Sequence, residues 1–74
     1  MAKVDYGKIA GLRRYKNISQ RKIGKLLGIT QSGYQKTESG LYDISAIRLY
    51  EIAKMFNEPI ESFFVENVSD GKKE

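Results

Sequence analysis

Apolar residues recur along this chain at intervals of three and four. Ile9 and Leu12 stand three apart, with Tyr6 and Ala10 on the same stripe. Ile23, Leu26 and Leu27 repeat the spacing, and Ala46, Leu49, Ile52, Ala53 and Phe56 extend it. A period near 3.6 residues belongs to a helix with one buried face. β-branched residues never alternate over a long run, and Pro59 is the only proline. Polar punctuation then divides the pattern into five predicted helices. The first covers residues 6–16 and stops at Asn17, which tolerates a left-handed backbone. The second follows the N-cap Ser19 and ends at Gly28. The third is capped by Thr30, covers residues 31–39 and ends at Gly40. The fourth covers residues 45–56, capped by Asp43 or Ser45 and stopped by Asn57. Pro59 opens the fifth, residues 59–65, at a first turn where its missing N–H costs nothing.

The predicted fold class is therefore all-α, a compact five-helix domain over residues 6–65. Residues 66–74 are expected to form a frayed polar tail. The expected core is Ile9, Leu12, Ile18, Ile23, Leu27, Ile29, Tyr34, Leu49, Ile52, Ala53, Phe56, Ile60 and Phe63. No internal repeat or low-complexity segment interrupts it.

Composition narrows the chemistry. Seventy-four residues without a single Cys or His exclude disulfides, zinc fingers, thiol nucleophiles and imidazole bases. No metal or other cofactor is expected, and no nucleophile–base pair can be named, so an enzyme is not expected. No apolar run approaches the length of a membrane span, and no signal-peptide pattern opens the chain, so a cytoplasmic protein with no membrane association is expected.

Charge is strongly segregated. Residues 1–36 hold nine basic groups and one acid, a balance of +8, whereas residues 37–74 hold four basic and eight acidic groups, a balance of −4. The positive end would attract and orient a polyanion.

Ser19 to Gly40 gives that charge a purpose. Two short helices, each preceded by a hydroxyl cap, are joined by Gly28-Ile29-Thr30 alone. So tight a connection sets two helices at a steep angle, as in a helix-turn-helix, whose second helix can lie in the DNA major groove. On that helix Tyr34, Thr37 and Glu38 fall to one side, and Gln31, Ser32, Gln35 and Lys36 to the other. The second set offers two amides, a hydroxyl and a cation, all able to meet base edges or phosphates, and no carboxylate. A solvated helix face is the plainer reading of the same residues.

The order and spacing of these elements resemble the Cro/C1-type (Xre-family) helix-turn-helix domain of small bacterial and phage regulators. The resemblance runs through Ile9-x-x-Leu12-Arg13, Ile18-Ser19-Gln20, Ile23, Leu27-Gly28-Ile29-Thr30, Tyr34-x-x-x-Glu38-x-Gly40, Leu49-x-x-Ile52-Ala53 and Ile60-x-x-Phe63-Phe64. It implies double-stranded DNA as partner, with base reading by Gln31, Ser32 and Gln35, and Lys36 reading a base or a phosphate. It also implies that Gln20 contacts a phosphate and braces the third helix, that Ser39 meets the backbone, and that Arg13 and Glu38 form a buried structural ion pair. Tyr34 stands at a core position that is aliphatic in the family. Arg21 and Lys16, among the flanking cations, are the further expected phosphate contacts. Gly24 replaces the family's usual Ala, and Gly33 removes a side chain from a contact position.

The function expected on these grounds is sequence-specific DNA binding by a small transcriptional regulator, a repressor acting as a homodimer on a near-palindromic operator. The alternative is a protein-interaction module, such as an antitoxin-type partner binder, that keeps the fold with weak DNA binding. In the fifth helix Ile60, Phe63 and Phe64 share a side and Val65 lies off it, which leaves apolar surface uncovered. The dimer interface is accordingly expected at Phe64 and Val65, with Tyr50 or Met55 nearby. Closure of the monomer core by both Phe63 and Phe64 is the competing arrangement.

Overall fold

The computed structural model describes residues 2–66; the expected tail from residue 67 onward lies outside them. The elements run β1 (Ala2–Val4), α1 (Tyr6–Tyr15), α2 (Gln20–Leu27), α3 (Gln31–Glu38), α4 (Ala46–Phe56), a single 3₁₀ turn (Ile60–Phe63) and β2 (Phe64–Glu66).

Each helix starts on a side chain that satisfies a free N–H of its first turn. Asp5 accepts from the Lys8 amide, Ser19 from Lys22, Thr30 from Gly33 and Ser45 from Arg48, all at 3.0–3.1 Å. Chain reversals use left-handed residues: Asn17 (φ 58°), Gly28 (φ 76°), Gly40 (φ 83°) and Asn57 (φ 56°).

Two expectations about the fold are corrected. Among the described residues four α-helices form, not five, and the domain carries a small antiparallel sheet in which Ala2 faces Glu66, Lys3 faces Val65 and Val4 faces Phe64. Pro59 is extended (ψ 140°) and precedes the turn instead of opening a helix. The turn lasts four residues, long enough to bury Phe63, and Phe64 then leaves it in an extended conformation (ψ 144°). Ser62 Oγ donates to the Pro59 carbonyl at 2.7 Å, and the Asp5 amide donates to the Phe63 carbonyl at 2.7 Å. Aromatic and β-branched residues at 64–65 suit a strand, and β1 supplies the pairing partner.

Ile9, Ile23, Tyr34, Leu49, Ile52, Ala53, Phe56 and Phe63 form the buried cluster, with Leu12, Ile18, Leu27, Ile29 and Ile60 packed around it. Val4, Tyr6, Ile44 and Met55 join that outer layer. Leu26 and Ala46, expected on buried stripes, face solvent. α2 and α3 pack chiefly on each other, α1 against α3, and α4 against the 3₁₀ turn. Gly24 makes the first contact close: a Cβ there would sit 3.2 Å from the carbonyl oxygens of both Ile29 and Thr30. The missing side chain lets the turn fold directly onto α2.

Candidate nucleic-acid interface

α3 is a two-faced helix whose inner face is tied down by a buried polar network. Arg13 Nε donates to Glu38 Oε2 at 2.6 Å and Nη2 to Oε1 at 3.1 Å, a bidentate pair between α1 and α3. Arg13 Nη1 donates to the Ile18 carbonyl at 2.8 Å, and Gln20 Nε2 donates to Glu38 Oε1 at 3.0 Å. Both charged residues are buried. α1, the connection before α2, and α2 itself are thus all bound through one carboxylate on α3.

Burial alone would raise the Glu38 carboxyl, but its hydrogen bonds, from Arg13 first and then Gln20, outweigh burial and hold it below the usual carboxylate range. The bond to Glu38 correspondingly raises Arg13 despite its own desolvation. Tyr34 packs under the pair with no exposed surface. Its hydroxyl lies beside the carboxylate without closing a hydrogen bond among the described residues, and burial, followed by Glu38, pushes its pKa upward.

The opposite face of α3 is free. Gln31, Ser32, Gln35 and Lys36 are all exposed, and no carboxylate stands among them. Gly33 is half-buried beside its cap, where a Cβ would meet Thr30 Oγ1 at 3.2 Å. Exposed donors aligned on a helix pinned from behind can meet base edges without the helix having to be ordered on contact.

The residues expected at phosphates fall into separate places. Gln20 and Ser39 line one open cleft of about 450 Å³ between α1, α2 and α3, together with Arg14 and Gln35. Ser39 Oγ is turned to the Lys36 carbonyl at 3.0 Å. Arg21 lies elsewhere, in a shallow hollow with Ser19, Lys22 and Lys25, and Lys16 is exposed at the end of α1. Arg14, exposed on α1, is a cation of this cleft that the sequence pattern does not single out. Its signal was its place directly after Arg13: as one Arg turns inward to Glu38, the next must point elsewhere.

The four residues expected at a dimer contact are also divided. Phe64 and Val65 are 42% and 38% exposed on β2. Tyr50 is exposed on α4 with Lys54 Nζ above its ring at 5.6 Å. Met55 is half-buried against the core and lines a groove with Leu26, Leu27, Glu51 and Lys54. Among the described residues no cluster of His, Cys, Asp or Glu could hold a metal ion, and no helix is long and apolar enough to cross a membrane.

Two short capped helices around a left-handed Gly28, the second showing solvent a polar, acid-free face, make a helix-turn-helix unit. Residues 9–63 match the helix-turn-helix family, and the chain belongs to it, in the Cro/C1-type branch of DNA-binding transcription regulators. It is 41% identical over 54 residues, 73% of its length, to a protein of Sinorhizobium medicae described as an uncharacterized HTH-type transcriptional regulator. The same identity and coverage hold for a regulator of that description from Rhizobium meliloti. The chain spans 39% of the length of each of these relatives.

Proposed function

We propose that this protein binds double-stranded DNA in a sequence-dependent way and regulates transcription as a repressor. The observation that carries the reading is the exposed set Gln31, Ser32, Gln35 and Lys36 on a helix anchored from behind by Arg13, Glu38 and Gln20. In this reading Gln31, Ser32 and Gln35 read base edges. Gln20, Ser39, Arg21 and Lys16 meet phosphates, and Arg14 joins them through the cleft it shares with Gln20 and Ser39.

Selection from a random duplex pool tests the reading and yields the operator. Gln31→Ala should then weaken operator binding by about 1–3 kcal/mol and leave random DNA almost unaffected, because it removes base-edge contacts but no charge. Equal losses on both would remove the base-reading assignment. Affinity should also fall steeply with salt, with log K against log[salt] sloping near −5 if about six phosphates are neutralised.

One unit of this size touches few base pairs, so a homodimer on a near-palindromic site is part of the proposal. Such a dimer sets two reading helices about 34 Å apart on one face of the duplex. Phe64 and Val65 remain its proposed centre, now because β2 leaves both side chains partly uncovered. Phe64→Glu should give a folded monomer in sedimentation with weakened operator binding. A mutant that unfolds would show that Phe64 is needed for the pairing of β1 with β2, and one that stays dimeric would move the interface. The second reading, a protein-interaction module, draws on the exposed Leu26 beside the groove of Leu27 and Met55. A flat salt response would favour it.

A further inference from the structure

The loop that follows α3 is built more firmly than its surface position requires. The Lys36 carbonyl accepts from the Leu41 amide at 3.0 Å, the Tyr42 amide at 3.3 Å and Ser39 Oγ at 3.0 Å. Gly40, at φ 83°, supplies the reversal that brings these donors back over the end of the helix. At the far end the Ile44 amide donates to Tyr6 Oη at 3.1 Å, which ties the loop to α1. A loop fixed at both ends nevertheless leaves Leu41 69% and Tyr42 50% exposed.

The Tyr42 ring is not idle. Lys36 Nζ stands over it, 5.8 Å from the ring centroid, within cation–π range. Lys36 belongs to the last turn of α3, whereas base edges are met mainly by residues near the start of a reading helix. Tyr42 lies beyond the helix, past Gly40. An ammonium held over its face is drawn away from the groove floor and toward the strand that borders it, with its remaining N–H bonds open.

Charge in the neighbourhood points the same way. Between Lys36 and Ser45 the chain carries no other cation, and Glu38 and Asp43 are its acids. Glu38 is already paired with Arg13, so Asp43 is the charge that would repel a phosphate here. Arg48 lines the hollow shared by Tyr42 and Asp43, but its Nη1 is committed to the Leu27 carbonyl at 2.8 Å. Its charge still offsets Asp43 in that hollow, which leaves Lys36, over the Tyr42 ring, as the cation available to a phosphate. Leu41 presents an apolar surface suited to deoxyribose, and Lys36, held over the Tyr42 ring, a cation suited to phosphate.

We infer that Tyr42 is a positioning residue that commits Lys36 to the sugar–phosphate backbone at the edge of the site, and not to a base. This rests on the DNA-binding reading above. A long Lys side chain loses much rotamer freedom on forming a contact, and one already steered by a ring loses less.

The test is a set of variants titrated on a mixed-sequence duplex two helical turns long and on the selected operator, over a range of salt. Lys36→Ala should weaken both complexes by similar factors, about fivefold, and reduce the salt slope by about one. Tyr42→Ala should weaken both about threefold. Tyr42→Phe should retain most of the affinity, since the ring face is kept. The Lys36→Ala/Tyr42→Ala pair should bind no more than about twofold worse than Lys36→Ala alone, because Tyr42 acts through Lys36. Circular dichroism melts of each variant separate this outcome from a collapsed loop, which Tyr42→Phe would also have to share. Losses that multiply in the double variant, or a Lys36→Ala loss confined to the operator, would overturn the inference while leaving DNA binding intact. Wild-type protein that binds neither duplex would overturn both.

Discussion

The two ends of this domain are held by different physics. Around α1, α2 and the inner face of α3 the decisive contacts are polar: one carboxylate, Glu38, accepts from Arg13 and Gln20, and Arg13 reaches on to the Ile18 carbonyl. Around α4 and the 3₁₀ turn they are apolar, with Leu49, Ile52, Phe56 and Phe63 each at most 1% exposed. Apolar burial is not directional, and it tolerates volume-conserving substitution. A bidentate ion pair fixes distance and angle. The directional contact lies behind the helix whose register matters, and the non-directional ones lie where only closure is needed.

Breaking either end should have a large effect, and the two differ in what can repair them. Arg13→Ala or Glu38→Ala strands a buried charge and should cost about 3–5 kcal/mol, a large share of the roughly 4–11 kcal/mol expected for a chain of this size. Urea denaturation measures it. The Arg13→Met/Glu38→Leu pair should recover most of that stability. If the network exists for orientation, operator affinity should not recover with it. Acid offers a second approach. Because the Glu38 carboxyl is held low in the folded protein, its contribution is present above the unfolded carboxyl pKa of about 4.3 and is lost as pH falls through the folded value. Melting temperature should drop in that window, and the part due to this carboxyl should vanish in Glu38→Gln.

At the apolar end Phe63→Ala should cost about 3–5 kcal/mol by emptying a fully buried site. The contrast with Arg13 is in rescue: Phe63→Leu should restore much of the loss, whereas Arg13→Lys, which lacks the planar fork, should restore little. Equal rescue of both would erase the distinction drawn between the ends.

Smaller effects refine it. Gly33→Ala removes a helix-interior glycine and should stabilise by up to about 1 kcal/mol, less whatever the 3.2 Å approach to Thr30 Oγ1 takes back. Its methyl group meets the Thr30 cap beside the exposed face, so the selected operator should change little. Tyr34→Phe should be neutral or stabilising by under about 1 kcal/mol, because the hydroxyl it removes is buried without a hydrogen bond. A clear loss would mean that this hydroxyl supports Glu38.

How much of this was readable beforehand varied with the range of the interaction. The four α-helices and their ends were legible because their causes are local: Ser19, Thr30 and Ser45 cap within three residues, and Asn17, Gly28, Gly40 and Asn57 reverse the chain on their own. The polar face of Gln31, Ser32, Gln35 and Lys36 followed from helical spacing alone. The segment after Pro59 did not follow. Its apolar residues fit a helix as well as a strand, and β1, sixty-odd positions away in sequence, decided between them. Leu26 likewise fitted its stripe but stands 60% exposed.

The amino-acid pattern by itself determined which segments coil, where they stop and which face of each is apolar, since these depend on backbone sterics and on neighbours within a turn. Tertiary structure alone decided the partners. It joined Ala2–Val4 to Phe64–Glu66, turned Arg13 inward and left Arg14 in a cleft with Gln20 and Ser39, and brought Tyr42 under Lys36. Such contacts depend on where separate elements come to rest against one another, and no local period along the chain encodes that.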